Sequence, residues 1–152
     1  MSVPMELPLR ETAEGLRLFR DPAPQLLALR KTSSTMAKAL VQPGKNATLD
    51  RTGEQLELEM QFQPGEGGKT VISIRGVDVV HDAKTGELTC LGSKALLPKG
   101  SGPVKLRIFA DRTSIEIFAA DGLVYIPSAI LFKKENQGIT VSSLEGDTQV
   151  TL

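Results

Sequence analysis

Val104-Lys-Leu-Arg-Ile-Phe-Ala-Asp-Arg-Thr-Ser-Ile-Glu-Ile-Phe-Ala-Ala-Asp-Gly122 reads as two short strands joined by a tight turn. Val104, Leu106, Ile108 and Ala110 share one face of the first strand, and Ile115, Ile117 and Ala119 share one face of the second. This is the period of two that a half-buried strand requires. Asp111-Arg112-Thr113 supplies the turn.

The same grammar runs outward from this hairpin. Leu56, Leu58, Met60 and Phe62 alternate with Glu57, Glu59, Gln61 and Gln63, which predicts a strand with one buried and one solvated face. Val71–Ile74 and Val77–Val80 read as two more strands broken at Gly76, and Asp82–Gly86 turns into Glu87–Leu91. Fourteen glycines and nine prolines punctuate the chain and exclude long helices, leaving room for a single helical turn between Pro24 and Met36. The expected fold is all-β: one antiparallel two-sheet β-sandwich of the jelly-roll or concanavalin-like kind, formed by residues 1–152 as a single domain. At 152 residues and 40% hydrophobic content, such a domain buries about 68–70% of its unfolded surface.

This stretch resembles the hairpin near the end of the C-terminal β-sandwich of glycoside hydrolase family 32, the invertases, levanases and inulinases, where an Asp-Arg-Ser-Ser-Ile-Glu-Val-Phe-type run is typical. Here the run is Asp111-Arg-Thr-Ser-Ile-Glu-Ile-Phe118. Upstream, Met1–Arg10 resembles the Pro-Arg-Glu-Leu-Thr-Leu start of that domain, with Met5 in place of the usual Arg, and Gly15–Leu26 resembles its next strand and exit loop. Downstream, Gly122–Phe132 and Gly138–Gly146 resemble the closing strands. The resemblance implies an accessory domain whose partner is the catalytic five-bladed β-propeller of the same enzyme. It also implies that the chain starts where the sandwich starts, and that the active site lies on the propeller.

The residues that carry fructoside hydrolysis in that family have no counterpart here. Retaining glycosidases set a nucleophilic and an acid/base carboxyl about 5–5.5 Å apart. The family's nucleophile lies in a Trp-x-Asn-Asp-Pro-Asn-Gly-type motif and its acid/base in a Glu-Cys motif. This chain has no Trp and no Asn-Asp-Pro, and Thr89 precedes its only cysteine. Arg20-Asp21-Pro22 repeats the letters of the family's Arg-Asp-Pro motif, but it sits after the second predicted strand, where a proline pair ending an edge strand with Arg20 and Asp21 solvated is the plainer reading. No catalytic residue is therefore assigned, and the isolated chain is expected to be inactive on fructosides.

Other chemistries find little support. Gly65-Glu-Gly-Gly-Lys-Thr70 ends like a phosphate loop, yet Gln63 stands where the pattern needs glycine and a strand follows where it needs a helix. His81 and Cys90 alone make no zinc site, so no metal or cofactor is expected; His81 reads as an exposed residue at a strand end and Cys90 as a buried thiol. Eighteen basic and eighteen acidic residues cancel, which gives no field to steer nucleic acid or an anionic membrane. Met1-Ser-Val-Pro4 lacks the basic start and apolar stretch of a signal peptide, so an exported parent would carry its signal upstream.

Two roles follow. In the first, the sandwich stabilises the propeller by packing beside it, with the apolar Val124–Phe132 segment as one candidate contact. In the second it binds fructan as a lectin-like module. Sugar modules commonly stack aromatic faces on their ligands. With one Tyr, five Phe and no Trp, only Tyr125 offers such a platform, and this scarcity favours the structural role.

Overall fold

Period-two alternation over many short segments leaves each strand with one apolar face to hide, and two sheets placed face to face hide all of them at once. The computed structural model describes residues 2–100 and 102–151. Four short strands come first: β1 (Met5–Glu6), β2 (Leu9–Thr12), β3 (Gly15–Leu18) and β4 (Asp21–Pro22), followed by a 3-10 turn at Pro24–Leu29. Next come β5 (Ala39–Val41), β6 (Asn46–Leu49), β7 (Leu56–Pro64), β8 (Lys69–Ile74), β9 (Val77–Asp82), β10 (Glu87–Cys90) and β11 (Ser93–Leu96). The chain closes with β12 (Val104–Ala110), β13 (Ser114–Ala119), β14 (Val124–Ala129), β15 (Ile139–Glu145) and β16 (Thr148–Thr151).

These later strands form two six-stranded antiparallel sheets. The first runs β11-β10-β9-β8-β15-β6 and the second β14-β13-β12-β7-β16-β5. The predicted hairpin is β12–β13 in the second sheet, in the register Ile108 to Ile117, and β7 lies on its other side. Leu58, Ile108, Ile117 and Ile126 thereby form one aliphatic row across four neighbouring strands. They face Ile72, Val79, Leu88 and Val141 of the first sheet in one buried core. The open, antiparallel two-layer arrangement is the β-sandwich that the alternation implied.

The expectation of an exposed His81 is overturned. His81 is 5% exposed. It continues the inward alternation of Val77 and Val79 on β9, and its ring stands edge-on to Phe62 at 5.5 Å. A lone imidazole at a predicted strand end looked solvated, but β9 extends to Asp82, and the strand's own period carries His81 inward. Burial pushes its pKa down. Cys90 is buried, and burial pushes its thiol up to about 11. The Val124–Phe132 segment is divided. Val124, Ile126, Ile130 and Phe132 pack on the core, while Leu131 is 81% exposed.

Candidate functional site

The outer face of the second sheet is where this chain departs from a plain sandwich. Alternation sends Glu57, Glu59 and Gln61 of β7, Lys105, Arg107 and Phe109 of β12, and Glu116 and Phe118 of β13 away from the core. Cross-strand register lines them up: Glu59, Arg107, Phe118 and Tyr125 form one row, and Thr151, Gln61 and Lys105 form the next. Solvation was expected along this face. Instead residues 2–30 fold back over much of it.

Glu116 anchors one end of that cover. It is 2% exposed, and its carboxyl accepts hydrogen bonds from the Val3 amide (2.9 Å), the Ser2 hydroxyl (2.8 Å) and the Tyr125 hydroxyl (2.5 Å). Burying a carboxyl is tolerable only with such partners. Tyr125 packs against Phe118 with ring centroids 4.9 Å apart, and the Arg20 guanidinium lies 6.0 Å from the centre of its ring. Burial and the bond to Glu116 together push the Tyr125 hydroxyl up. The ring named from the sequence as a sugar platform thus lies on the outer face, with its hydroxyl committed to Glu116.

Arg30 holds the other end. It follows the 3-10 turn and meets Glu57 with a two-pronged bond, Nε to Oε2 at 2.6 Å and Nη2 to Oε1 at 2.7 Å, and it also reaches Glu59. Arg107 donates from Nε to Glu57 at 2.7 Å. Burial pushes the Glu57 carboxyl up, but the bonds from Arg30 and Arg107 outweigh it and hold the group below the ordinary carboxylate range. This is paired geometry of the stronger kind, since both guanidinium groups converge on one half-buried carboxyl.

Between these anchors a two-stranded ribbon projects. β1 pairs with β4 and β2 with β3 in one constant register, which the Ala23 to Pro4 and Phe19 to Pro8 backbone bonds continue. Pro8 has no amide hydrogen to donate, which interrupts the ladder there. Leu9 stands opposite Leu18, and Leu16 opposite Glu11, so three leucines share one ribbon face. Leu9 and Leu16 are each 67% exposed, Leu18 39% and Leu7 56%. The ribbon's other face carries Arg10, which stacks 4.6 Å over buried Phe19 and pairs with Asp21. Leu27 and Leu29, just beyond, are also exposed.

Where ribbon and sheet meet lies a groove of about 650 Å³ whose lining includes Arg10, Arg20, Asp21, Glu59, Gln61, Lys105, Arg107, Phe118 and Asp121. Its rim is the β13–β14 turn, where Ala120, Asp121 and Gly122 all adopt positive φ (50°, 53° and 92°). Gly122 is required there: its carbonyl accepts the Arg20 amide at 2.9 Å, and a side-chain carbon would collide with the Arg20 carbonyl. Arg20 and Asp21, expected to be solvated beside a turn, are half-buried walls of this groove because β4 pairs with β1.

Sequence reasoning found the strand row that floors the site but not its cover. A signal was present: Ile115-Glu-Ile-Phe118 has apolar or aromatic residues at both parities, the mark of a strand buried on both faces.

Comparison with known proteins places these features in context. The family model described as glycosyl hydrolases family 32 C terminal matches residues 25–152, so the match starts just past the ribbon. A levanase of Bacillus subtilis (strain 168) is 27% identical over 173 residues, covering 98% of this chain and 26% of the levanase. A levanase of Bacillus sp. (strain L7) is 26% identical over 175 residues, covering 99% and 19% respectively. Among solved structures, exo-inulinase from Aspergillus awamori superposes with a TM-score of 0.77 at 18% identity, over 99% of this chain and 34% of that one. The β-fructofuranosidase of Schwanniomyces occidentalis gives 0.64 at 11% identity, over 99% and 40%. The chain thus spans about a quarter or less of the levanases it matches, and the structural likenesses bear on the fold.

Proposed function

This chain belongs to the C-terminal domain family of glycosyl hydrolase family 32, and from that membership we propose that it is the non-catalytic accessory sandwich of a levanase- or invertase-type enzyme, docked on the catalytic propeller through its leucine ribbon. The observation that carries this reading is the ribbon itself. Leu7, Leu9, Leu16 and Leu18 are all exposed on an element that belongs to neither six-stranded sheet. Fully burying a leucine stabilises a contact by about 1.5–3 kcal/mol, so a soluble domain gains nothing from leaving several together in water. Neither two-stranded piece of the ribbon has a third strand beside it, and an open sheet edge is one that a neighbouring sheet can extend.

A structural role agrees with the chemistry of the groove. Asp21 is paired with Arg10, Glu59 with Arg30 and Asp121 with Lys105, whereas hydrolysis of a glycoside needs one carboxyl free to attack and another free to donate a proton. The test is sedimentation velocity of this chain mixed with the separately purified catalytic propeller of its enzyme. The expected result is a one-to-one complex that Leu9→Asp combined with Leu18→Asp abolishes. A complex unaffected by these changes, or no complex with the unaltered chain, would overturn the ribbon as the docking element.

A further inference from the structure

We propose that the groove between ribbon and second sheet binds a small organic monocarboxylate, with the Arg20 guanidinium as the group that receives it. The volume of about 650 Å³ falls within the roughly 300–1,000 Å³ typical of small-molecule sites. All of its walls come from this chain, so the site is complete without the docking partner and does not depend on the docking reading.

The charges on the lining select the ligand. Four cations, Arg10, Arg20, Lys105 and Arg107, stand against three carboxyls, Asp21, Glu59 and Asp121. Each carboxyl already has a cation: Arg10 holds Asp21, Lys105 meets Asp121, and Arg107 meets Glu59. Arg30 and Glu57, both outside the lining, join the last pair as one further cation and one further carboxyl, which leaves its balance unchanged. One positive charge is left over, and Arg20 carries it. A cation entering the groove finds every carboxyl taken. A phosphate monoester, at about −1.5 to −2 near neutral pH, brings more charge than the surplus. A monocarboxylate matches it, and its two oxygens fit the planar fork of a guanidinium.

Arg20 differs from its neighbours. It is half-buried, and among the described residues no carboxyl lies within ion-pairing distance of it and its side chain makes no hydrogen bond. Its N–H donors are therefore open to an acceptor from outside the chain. It is nevertheless held in place. Its amide donates to the Gly122 carbonyl, and its guanidinium lies over Tyr125, whose own hydroxyl is fixed by Glu116. A group already held in position loses less freedom when a ligand arrives. Glu116 lies outside the lining, with its oxygens committed to Ser2, Val3 and Tyr125. Lys105 meets Asp121 at only 3.8 Å, and both side chains are more than half exposed, so Lys105 is free to turn a second donor toward the ligand. Gln61 and Thr151 add an amide and a hydroxyl from the sheet floor for its polar remainder.

Tyr125 is the chain's one tyrosine and there is no tryptophan, so tyrosine emission reports on the ring beside Arg20. The test is a titration of the whole chain with acetate, lactate and N-acetylglycine at fixed ionic strength in chloride, read by tyrosine emission and by backbone amide shifts, with N-acetylglycinamide as the uncharged control. The expected result is a saturable change with at least one carboxylate, amide shifts confined to the groove, and no response to the control. Loss of the charged hydrogen-bonding partner should weaken binding about tenfold or more in Arg20→Ala. Arg20→Lys, which keeps the charge without the fork, should recover part of that loss, while the ribbon change Leu9→Asp should leave binding intact. Thermal midpoints within error of the unaltered chain show that each variant is folded. No saturable change with any carboxylate, an equal response to the uncharged control, tighter binding of inorganic phosphate than of every carboxylate, or full affinity in Arg20→Ala would each overturn the site. Because Leu9→Asp tests docking and Arg20→Ala tests the groove, failure of one leaves the other standing.

Discussion

Replacing Ile117 by alanine removes the middle of the aliphatic row that spans β7, β12, β13 and β14. Its side chain is 0% exposed, with Ile108 and Ile126 beside it in register. Truncations of this kind cost about 2–5 kcal/mol, the upper part of the range applying where the surroundings cannot collapse into the void. A residue held between two other isoleucines and the facing sheet has little freedom to relax, so about 3–4 kcal/mol is the working figure. For a chain of this length each kcal/mol moves the melting midpoint by about 2–4 °C, giving a drop of about 6–16 °C. Ile117→Asp adds an unpaired buried charge, costing several kcal/mol more against a total stability of about 5–15 kcal/mol, and should unfold the domain. Circular dichroism is the assay, since the chain has no tryptophan. The neighbouring Glu116 faces the opposite side of the same strand, so Glu116→Gln serves as the internal control and should retain the folded spectrum. A soluble Ile117→Asp variant with an unchanged midpoint would refute the assignment of strand faces.

Glu116→Ala should cost about 1–3 kcal/mol by stranding buried donors, and hydrogen exchange should show the Val3 amide losing protection first. Gly122→Ala, with no room for its side chain beside the Arg20 carbonyl, should destabilise the domain more than the 0.4–1 kcal/mol scale of a tolerated Gly→Ala change, approximately and with the opposite sign; equal or greater stability in urea would contradict it. Burial holds the His81 pKa below that of an ordinary imidazole, so the unfolded chain takes up the proton first. Its stabilising contribution is complete above about pH 6.5 and is lost as pH falls through the window beneath. His81→Leu should flatten the urea midpoint between about pH 7.5 and about pH 5.5, above the range in which Glu57 and Asp82 titrate. Cys90, buried with its thiol raised to about 11, should resist thiol reagents at neutral pH until the domain unfolds, and prompt labelling of folded protein would contradict its burial.

The core was legible because burial on one face leaves a period of two in the sequence. Leu58, Met60 and Phe62 on β7, and Leu106 and Ile108 with Ile115 and Ile117 on the hairpin, all occupy the inner faces expected. His81 was not legible, since its position depends on how far β9 extends and on a neutral imidazole tolerating the core beside Phe62. The outer-face site was hidden for another reason. Arg20, Gln61, Arg107 and Asp121 are distant in sequence and polar, and polar alternation reads as solvation unless another part of the chain covers it. The cover is long-range: Ser2 and Val3 meet Glu116, and Arg30 meets Glu57 and Glu59. The exposed leucines of β2 and β3 looked like ordinary strand residues until the register put them together on a ribbon outside both sheets.

The most direct test of the docked accessory role is the thermal midpoint of the catalytic propeller of the same enzyme, measured alone, with this chain added, and with the Leu9→Asp, Leu18→Asp variant added. A partner that binds only the folded propeller raises its midpoint in proportion to its occupancy. The account predicts a rise with the unaltered chain and none with the variant. A midpoint that stays the same on adding the unaltered chain, or rises equally with the variant, would contradict it.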